Sequence, residues 1–528
     1  MNKILLIILD GWGLAQPWGG NSIAVAKTPF FNYIWRTYPH TQLRASGTDV
    51  GLPGHEMGNS EVGHLNIGAG KIVRQDILNV NEAIENGTFF SNRILIQAMD
   101  RVRGTSNNLH IMGLLSDGGV HAHTSHAIAL LNLAHARKIK NIYIHIFTDG
   151  RDTPPMSAQT YIARLSSEIK KLDTGTIATV SGRYWAMDRD HNWERIDKVY
   201  KAMTEGVGKR APSAMSAVGA AYGRGETDEF ILPTIIENRN LPPQVMDGDS
   251  IIFWNFRSDR ARELTQAFLR PQIEKYNRSK VLKNLFFVSL IPYGYEKDIG
   301  VRPYVAFEPE KIYMTLASVL ADHKIPQLHI AETEKYAHIT FFLNGMIEKP
   351  FPLEERVIVP SPAVATYDLK PEMSAPIVTN EVIKGIKSNK FGLIAVNFAN
   401  LDMVGHSGNF AAIVKACEIV DTSLSEIVKQ ANDNGYYSVI TADHGNAEEA
   451  INPITNEIST EHTKNPVPFI LVPIKNDTNK YILRTDGRLS DVTPTLLYLM
   501  QIEKPSEMSG NNLIIINYNK NGKNNTSQ

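Results

Sequence analysis

Short apolar runs recur along the whole chain and alternate with segments of helical periodicity. The first run, Lys3–Leu9, is continuous, which predicts a strand covered on both faces in a parallel sheet. Further strands are predicted at 109–114, 142–147, 177–180, 251–255, 327–330, 337–343, 392–397, 437–441 and 468–472, and helices at 75–83, 94–102, 126–138 and 311–322. This alternation predicts the α/β fold class.

The length of 528 residues exceeds what one core supports, so we expect at least two domains. Both ends of the chain carry strands followed by acids and histidines. We therefore expect a discontinuous, metal-binding domain from 1–75 and 310–515, with a second α/β domain inserted at 76–309. Two or three consecutive domains are the alternative, which would separate Asp10 and Ser60 from candidate ligands near the C-terminus. The Asn/Lys/Gly-rich tail, 516–528, is predicted to be disordered.

The composition argues against several partners. A net charge of -1 gives no global attraction to nucleic acid or to an acidic membrane. No stretch approaches the ~20 apolar residues of a membrane helix. The first apolar run ends in Asp10-Gly11-Trp12-Gly13 without a small-residue cleavage site, unlike a signal peptide. A single cysteine, Cys417, excludes an intramolecular disulfide and fits a reducing compartment, so a cytoplasmic location is expected.

One polar stretch, Gly58-Asn59-Ser60-Glu61-Val62-Gly63-His64, has the residues of an anion-binding loop. The glycines allow a tight turn, and Ser60 could present its hydroxyl and nearby N–H groups to a phosphate. The Gly-x-Ser-x-Gly pattern of serine hydrolases is not completed. A plain surface turn is the alternative, and the acids and histidines elsewhere favour a serine-centred site.

Acids and histidines follow several predicted strands. Asp402 and His406 are four residues apart, so one turn of helix would bring them to the same ion. Mixed carboxylate and imidazole ligands suit Mn²⁺, Zn²⁺ or Mg²⁺. Two ions could be bound, one of them activating the serine as an alkoxide. The candidate metal-site residues are Asp10, Ser60, Asp402, His406, Asp443, His444 and His462.

The middle of the chain supplies arginines in loops after predicted strands. Guanidinium groups bind carboxylate and phosphate through two parallel hydrogen bonds, which lysine cannot match. The spacing of Arg257 and Arg260 predicts neighbours on one helical face. In the segment 121–126 we favour substrate contact by one histidine over a metal site. The candidate anion-binding arginines are Arg151, Arg183, Arg189, Arg257 and Arg260.

Taken together, these motifs resemble the cofactor-independent phosphoglycerate mutases of the alkaline phosphatase superfamily, nearly from end to end. No single stretch is specific to that family, but the set is. The matching stretches are 10–13, 58–64, 149–153, 181–183, 187–190, 255–260, 331–337, 402–406 and 443–446.

The resemblance implies a role for each candidate residue. Ser60 would be the phosphorylated nucleophile, and either Asp152 or Lys335 would move the proton. One ion would be held by Asp10, Ser60, Asp443 and His444, and the other by Asp402, His406 and His462. The substrate pocket would be lined by His121, Arg151, Asp152, Arg183, Arg189, Arg257, Arg260 and Lys335.

The family interconverts 3-phosphoglycerate and 2-phosphoglycerate in glycolysis, commonly with Mn²⁺, although Mg²⁺, Zn²⁺ or Co²⁺ could serve. We expect a monomer acting on this small molecule. A metal-dependent phosphatase or a sugar-phosphate mutase is the nearest alternative. A hydrolase needs no second, arginine-rich domain to retain its product, which favours the mutase. A non-catalytic anion-binding protein would have no use for Ser60 among metal ligands.

Overall fold

The computed structural model describes residues 2–54, 56–237, 244–294 and 300–518. The chain divides into two compact units, Met1–Gln75 with Glu310–Gln528, and Asp76–Pro309. Each unit has its own mixed β-sheet and its own apolar core. The predicted α/β class, with one domain formed by both ends of the chain and a second inserted, is therefore confirmed.

Strands and helices alternate through both units. The strands are β1 Lys3–Leu9, β2 His40–Leu43, β3 Leu109–Leu114, β4 Ile142–Thr148, β5 Thr176–Gly182, β6 Lys209–Ala211, β7 Thr234–Ile236, β8 Ser250–Phe253, β9 Phe286–Ser289, β10 Tyr304–Val305, β11 Gln327–Glu332, β12 Glu354–Val359, β13 Leu393–Phe398, β14 Tyr436–Thr441, β15 Val467–Val472, β16 Lys480–Leu483 and β17 Ile514–Tyr518. The α-helices are Ser22–Val25, Pro29–Thr37, Ser60–Ala69, Asp76–Glu85, Arg93–Val102, Thr124–Ala136, Ala158–Leu172, Arg183–Ala186, Trp193–Thr204, Ala214–Gly223, Arg262–Leu269, Leu316–Asp322, Ala375–Ser388, Asn400–Gly405, Phe410–Asp433 and Val492–Met500.

The first unit is built on a seven-stranded sheet in the order β12-β11-β13-β1-β14-β15-β2. β12, β11, β13, β1 and β14 are parallel, and β15 runs antiparallel to β14 and β2. β1 lies in the middle and is buried from Ile4 to Leu9, as expected of a strand covered on both faces. The carboxyl ends of β11, β13, β1 and β14 therefore share one edge, where α/β sheets place their ligands.

The second unit is built on an eight-stranded sheet in the order β10-β9-β8-β3-β4-β5-β7-β6. The strands from β10 to β5 are parallel, whereas β7 runs antiparallel to β5. All residues of β3 are buried. The loops after β8, β3, β4 and β5 consequently meet at one edge of this sheet.

One predicted strand and part of the predicted tail differ in the structure. The predicted strand 337–343 is a π-helical turn, His338–Phe342, because short runs of aromatic and β-branched residues do not distinguish strand from buried helix. The prediction of a disordered tail is wrong for 516–518, whose backbone belongs to β17 and pairs with β16. These residues form a strand because β17 pairs with β16, and the local composition does not reveal that pairing. The remaining predicted tail, 519–528, lies outside the described residues.

Among the described residues, no helix combines the length and the apolar character that crossing a membrane requires.

A buried histidine in the second unit predicts how stability depends on pH. Burial, reinforced by His123, lowers the pKa of His126 to about 3, and the ring nitrogen Nε2 lies 2.7 Å from Asn81 Oδ1. Between pH 6.5 and 3 the unfolded chain therefore binds a proton that the folded chain does not, so stability is lost as the pH falls. Lowering the pH from 7 to 5 should therefore reduce the free energy of unfolding by about 2 kcal/mol through this one histidine.

The substitution His126→Gln removes this titration while keeping an amide donor toward Asn81. We measure the free energy of unfolding by urea titration followed by circular dichroism at pH 7 and pH 5. Relative to the variant, the wild type should lose about 2 kcal/mol of this free energy between the two pH values. His135→Gln, on the exposed face of the same helix, keeps His126 and should follow the wild-type curve. Parallel pH dependence of wild type and His126→Gln would contradict the assignment.

Candidate functional site

Ser60 is the first residue of the helix Ser60–Ala69, in a stretch that the sequence predicts only as a loop. Asn59 caps this helix, because its Oδ1 accepts a hydrogen bond from Val62 N at 3.0 Å. Gly58 is required by close approach, since a Cβ there would lie 2.0 Å from the carbonyl oxygen of Ala45. Ser60 is thus buried at a helix N-terminus, where free N–H groups and the helix dipole favour anions.

The Ser60 hydroxyl is surrounded by charged groups. Its Oγ donates to Asp10 Oδ1 at 3.2 Å and lies 2.9 Å from His444 Nε2. The ammonium of Lys335 donates to the same Oγ at 2.7 Å. A hydroxyl held between a carboxylate, an imidazole and an ammonium is placed for nucleophilic chemistry.

The order of the strands explains how distant parts of the chain meet here. Lys335 follows β11 and Asp402 follows β13, while Asp10 follows β1 and the Asp443-His444 pair follows β14. These are the four neighbouring strand ends of the first sheet. His462 joins them because β15 is antiparallel, so that residues preceding it lie at the same edge.

Asp402 connects the two histidines predicted to share its ion. Its Oδ1 lies 3.0 Å from His462 Nε2 and 3.2 Å from His406 Nε2, and the two imidazole nitrogens are 3.2 Å apart. Asp402 belongs to the helix Asn400–Gly405, which His406 caps, so one turn of helix does bring the pair together. The other ring nitrogen of each histidine faces a backbone carbonyl oxygen, Thr460 O for His406 and Gly58 O for His462, which fixes the orientation of the rings.

Lys335 is the cation within this cluster. Its Nζ lies 2.8 Å from Asp10 Oδ1 and 2.6 Å from Asp402 Oδ2. Burial disfavours an ammonium, but the two carboxylates outweigh it and raise the pKa of Lys335 above its ordinary value. Burial also disfavours the charged form of Asp10 and would raise its pKa. Lys335 and His444 outweigh burial, so the pKa of Asp10 lies below the usual range. Lys335 is therefore a charged hydrogen-bond donor to Ser60.

The donor atoms fit divalent cations. Asp10, Asp443 and His444 present ligand atoms within 4.8 Å of one another, and so do Asp402, His444 and His462. Asp443 Oδ2 is buried without a hydrogen-bond partner in the described residues, and a cation would satisfy this oxygen. Carboxylates combined with imidazoles suit a transition-metal ion better than Ca²⁺. All seven candidate metal-site residues belong to this one cluster.

Two supporting residues were missed by the sequence reasoning. His64 Nδ1 donates to the carbonyl oxygen of Ser60 at 2.9 Å, and its Nε2 lies 3.0 Å from Asn397 Nδ2. The same Asn397 amide donates to Asp10 Oδ2 at 2.7 Å. These contacts orient Asp10 and Ser60. A signal existed for Asn397, because a polar residue interrupts the otherwise apolar strand β13 near its carboxyl end.

The second unit holds the arginine cluster at the carboxyl edge of its own sheet. Arg183 is buried, and its Nη1 donates to Asp149 Oδ1 at 2.7 Å and also to Asp152. Asp149 Oδ1 further accepts the backbone N–H groups of Arg151 at 3.2 Å and Asp152 at 3.0 Å. Asp149, a residue not selected from the sequence, therefore shapes the loop after β4.

Asp259 organises the other half of this cluster and was also missed. Its Oδ2 accepts from Arg189 Nη1 at 3.2 Å, and its Oδ1 lies 3.2 Å from Arg257 Nε and 3.6 Å from His121 Nδ1. The predicted shared helical face of Arg257 and Arg260 is wrong, because these residues form a turn before the helix Arg262–Leu269. Tertiary contacts hold the turn, including Arg260 Nη1 to the carbonyl oxygen of Met187 at 3.1 Å.

Positive charge exceeds negative charge in this cluster. Burial and the nearby guanidinium groups of Arg189, Arg183 and Arg151 lower the pKa of Arg260. Burial and Arg183 lower the pKa of His121 to about 4. The side chains of Arg151, Arg189 and Arg257 are about half exposed, so their guanidinium groups remain accessible. Such an arrangement binds an anion, and carboxylate or phosphate suits it best.

Comparisons with known proteins show which family this sequence resembles. Residues 80–295 match the family model described as the N-terminus of BPG-independent PGAM, iPGM_N. A 2,3-bisphosphoglycerate-independent phosphoglycerate mutase of Thermomicrobium roseum is 49% identical, and the alignment covers 97% of this chain and 98% of the relative. A mutase of the same description from Clostridioides difficile is 47% identical, with 97% and 99% covered.

Similarity extends to a solved structure. A crystal structure of Leishmania mexicana phosphoglycerate mutase at low cobalt concentration matches with a TM-score of 0.69 and 29% sequence identity, covering 97% of both chains. Because relatives at nearly half identity align over almost their whole length, the chain belongs to the 2,3-bisphosphoglycerate-independent phosphoglycerate mutases, a family of isomerases.

Proposed function

We propose that this chain interconverts 3-phosphoglycerate and 2-phosphoglycerate in glycolysis and gluconeogenesis through a phosphoserine at Ser60, as a cytoplasmic enzyme that needs no 2,3-bisphosphoglycerate. One observation carries the proposal. The Ser60 hydroxyl lies at a helix N-terminus within hydrogen-bond distance of Asp10, His444 and Lys335. That setting supplies both a nucleophile and positive charge for a phosphoryl group.

We propose two divalent cations, most suitably Mn²⁺, for the carboxylate and imidazole cluster of the first unit. Asp10, Ser60, Asp443 and His444 would hold one ion, and Asp402, His406 and His462 the other. When bound, such ions lower the pKa of a coordinated hydroxyl and stabilise negative charge on phosphoryl oxygens. The buried Asp443 Oδ2, which accepts no hydrogen bond from the part of the chain that the structure describes, supports this assignment.

In the proposed reaction, side chains of this protein transfer the phosphoryl group in two steps. Ser60 Oγ forms a bond to phosphorus as the bond between phosphorus and the glycerate oxygen breaks. The other glycerate hydroxyl then attacks the phosphoserine, and the bond from phosphorus to Ser60 Oγ breaks. Lys335 and the N–H groups at the start of the helix stabilise the phosphoryl oxygens. Asp152 is the proposed proton carrier: it gives a proton to the glycerate oxygen that leaves phosphorus, and it then takes the proton of the glycerate hydroxyl that attacks the phosphoserine. Lys335 already donates to Ser60 Oγ.

The arginine cluster of the second unit is proposed to bind the glycerate. A phosphatase gains nothing from retaining the dephosphorylated molecule, whereas a mutase requires it. The test is a coupled assay of 2-phosphoglycerate formation from 3-phosphoglycerate without added bisphosphoglycerate, with inorganic phosphate measured in parallel. Isomer formation with little phosphate release supports the mutase, and stoichiometric release of phosphate contradicts it.

Arg183→Lys tests the substrate-binding role. The lysine keeps the positive charge but cannot reproduce the planar guanidinium that contacts both Asp149 and Asp152. We expect kcat/KM for 3-phosphoglycerate to fall by about 10- to 100-fold, the range for losing a hydrogen bond to a charged group. Arg164→Lys, on the exposed side of the helix Ala158–Leu172, is the control. Equal kcat/KM for wild type and Arg183→Lys would exclude Arg183 from substrate binding.

A further inference from the structure

A buried carboxylate outside the ligand cluster lies beneath three of its loops. Glu448 belongs to the short 3-10 helix Ala447–Glu449 and is fully buried. A buried carboxylate is costly unless hydrogen bonds satisfy its oxygens. Glu448 has four such donors, two for each oxygen, and all four are neutral groups.

The four donors come from three different loops. Glu448 Oε2 accepts from Gly13 N at 3.0 Å and from Asn446 N at 2.9 Å. Glu448 Oε1 accepts from the Thr463 hydroxyl and from Asn465 Nδ2 at 3.1 Å. Each donor lies one to three residues after a candidate ligand. Gly13 follows Asp10, Asn446 follows His444, and both Thr463 and Asn465 follow His462. One carboxylate therefore holds together the loops that carry three candidate ligands.

Two glycines leave the space that this carboxylate occupies. A Cβ at Gly13 would lie 2.1 Å from Glu448 Cδ, and a Cβ at Gly445 would lie 2.3 Å from Glu448 Oε1. The backbones of the first two loops also meet directly, because the carbonyl oxygen of Gly11 accepts from Asn446 N at 3.1 Å. Thr463 N donates to the carbonyl oxygen of Gly445 at 2.9 Å. The loops are thus packed around Glu448 at backbone distance.

We propose that Glu448 is a positioning residue for the cation site: by accepting hydrogen bonds from all three loops, it sets the spacing of Asp10, His444 and His462. The inference rests on the proposed role of these residues as metal ligands. Outer hydrogen bonds of this kind orient ligands, and their loss typically weakens metal binding by about 10- to 100-fold. Glu448 itself would touch neither metal nor substrate.

Glu448→Gln tests the proposal with little change in volume. A glutamine offers one carbonyl oxygen, so two of the four donors would face its NH₂ group instead of an acceptor. We expect Mn²⁺ affinity, measured by calorimetry and by the electron paramagnetic resonance of free Mn²⁺, to fall by about 10- to 100-fold. Activity at saturating Mn²⁺ should recover to within a few-fold of wild type, which a general loss of stability would not produce.

Asp421→Asn is the matched control. Asp421 is also a buried carboxylate of the first unit, and it accepts the N–H groups of Phe30 at 3.1 Å and Phe31 at 2.6 Å. It caps the helix Pro29–Thr37 and makes these hydrogen bonds away from the ligand loops. We expect this variant to lower the melting temperature while leaving Mn²⁺ affinity within about twofold of wild type, because its contacts do not orient ligands.

The outcomes separate this inference from the proposed function. If wild type binds Mn²⁺ and Glu448→Gln binds it equally well, the positioning role is overturned and the metal site stands. If wild type binds no Mn²⁺, the metal site and the positioning role are both overturned. Should Glu448→Gln fail to fold, Thr463→Val decides, because it removes one donor and keeps the carboxylate. Weaker Mn²⁺ binding by Thr463→Val supports the proposal, and unchanged binding overturns it.

Discussion

Ser60→Ala should lower mutase activity by at least about 10⁴-fold, because the substitution removes the atom proposed to accept the phosphoryl group. The remaining site would still bind anions through the helix N-terminus and Lys335. We therefore expect kcat to fall much more than the affinity for 3-phosphoglycerate. The coupled assay gives the rate, and mass spectrometry of wild type mixed with substrate should show one added phosphoryl group that the variant lacks.

A control serine lies in the same unit away from the cluster. Ser425 is half-buried in the helix Phe410–Asp433, and Ser425→Ala should retain wild-type activity and phosphorylation. The assignment of Ser60 is wrong if Ser60→Ala keeps wild-type turnover, or if the phosphoryl group is found on another residue.

Removal of divalent metal should have the second-largest effect. Dialysis against EDTA should reduce activity by at least about 100-fold, because both proposed ions leave together. This loss is larger than the one expected when a ligand loses a single supporting hydrogen bond. Mn²⁺ added back should restore the wild-type rate. Asp402→Asn should not be restored, since its carboxylate lies beside His406, His462 and Lys335.

The metal content of each preparation should follow the activity. Elemental analysis is expected to find metal in wild type and less in Asp402→Asn. Asp433→Asn, an exposed carboxylate at the end of the helix Phe410–Asp433, should keep both metal and activity. Full activity in a preparation shown to be free of metal would rule out the two-cation proposal.

Most of the strands were predictable because their signal is local. β1 and β3 were predicted with their observed bounds, since continuous apolar runs between turn residues leave few alternatives. The π-helical turn His338–Phe342 was missed, because its aromatic and β-branched residues satisfy a strand pattern equally well. The helix at Ser60 was missed because Gly58 and Gly63 lie on either side of its first residues, and because the cap by Asn59 depends on backbone geometry.

The site residues also divide into those that the local sequence predicts and those that it does not. Acids and histidines placed directly after predicted strands could be selected from the sequence, since parallel strands bring their carboxyl ends to one edge. Glu448 could not be selected in this way. It stands beside Glu449, and its importance lies in contacts with several loops that the local sequence does not show.

The sequence by itself determined which residues stand at strand ends, and hence the chemistry available to this protein. Only the tertiary structure decided which of them meet, because the order β11-β13-β1-β14 joins segments separated by up to about four hundred residues. The physical reason is that hydrophobic periodicity acts over a few residues, whereas the distance between Asp10, Lys335 and Asp402 is set by the packing of the whole sheet.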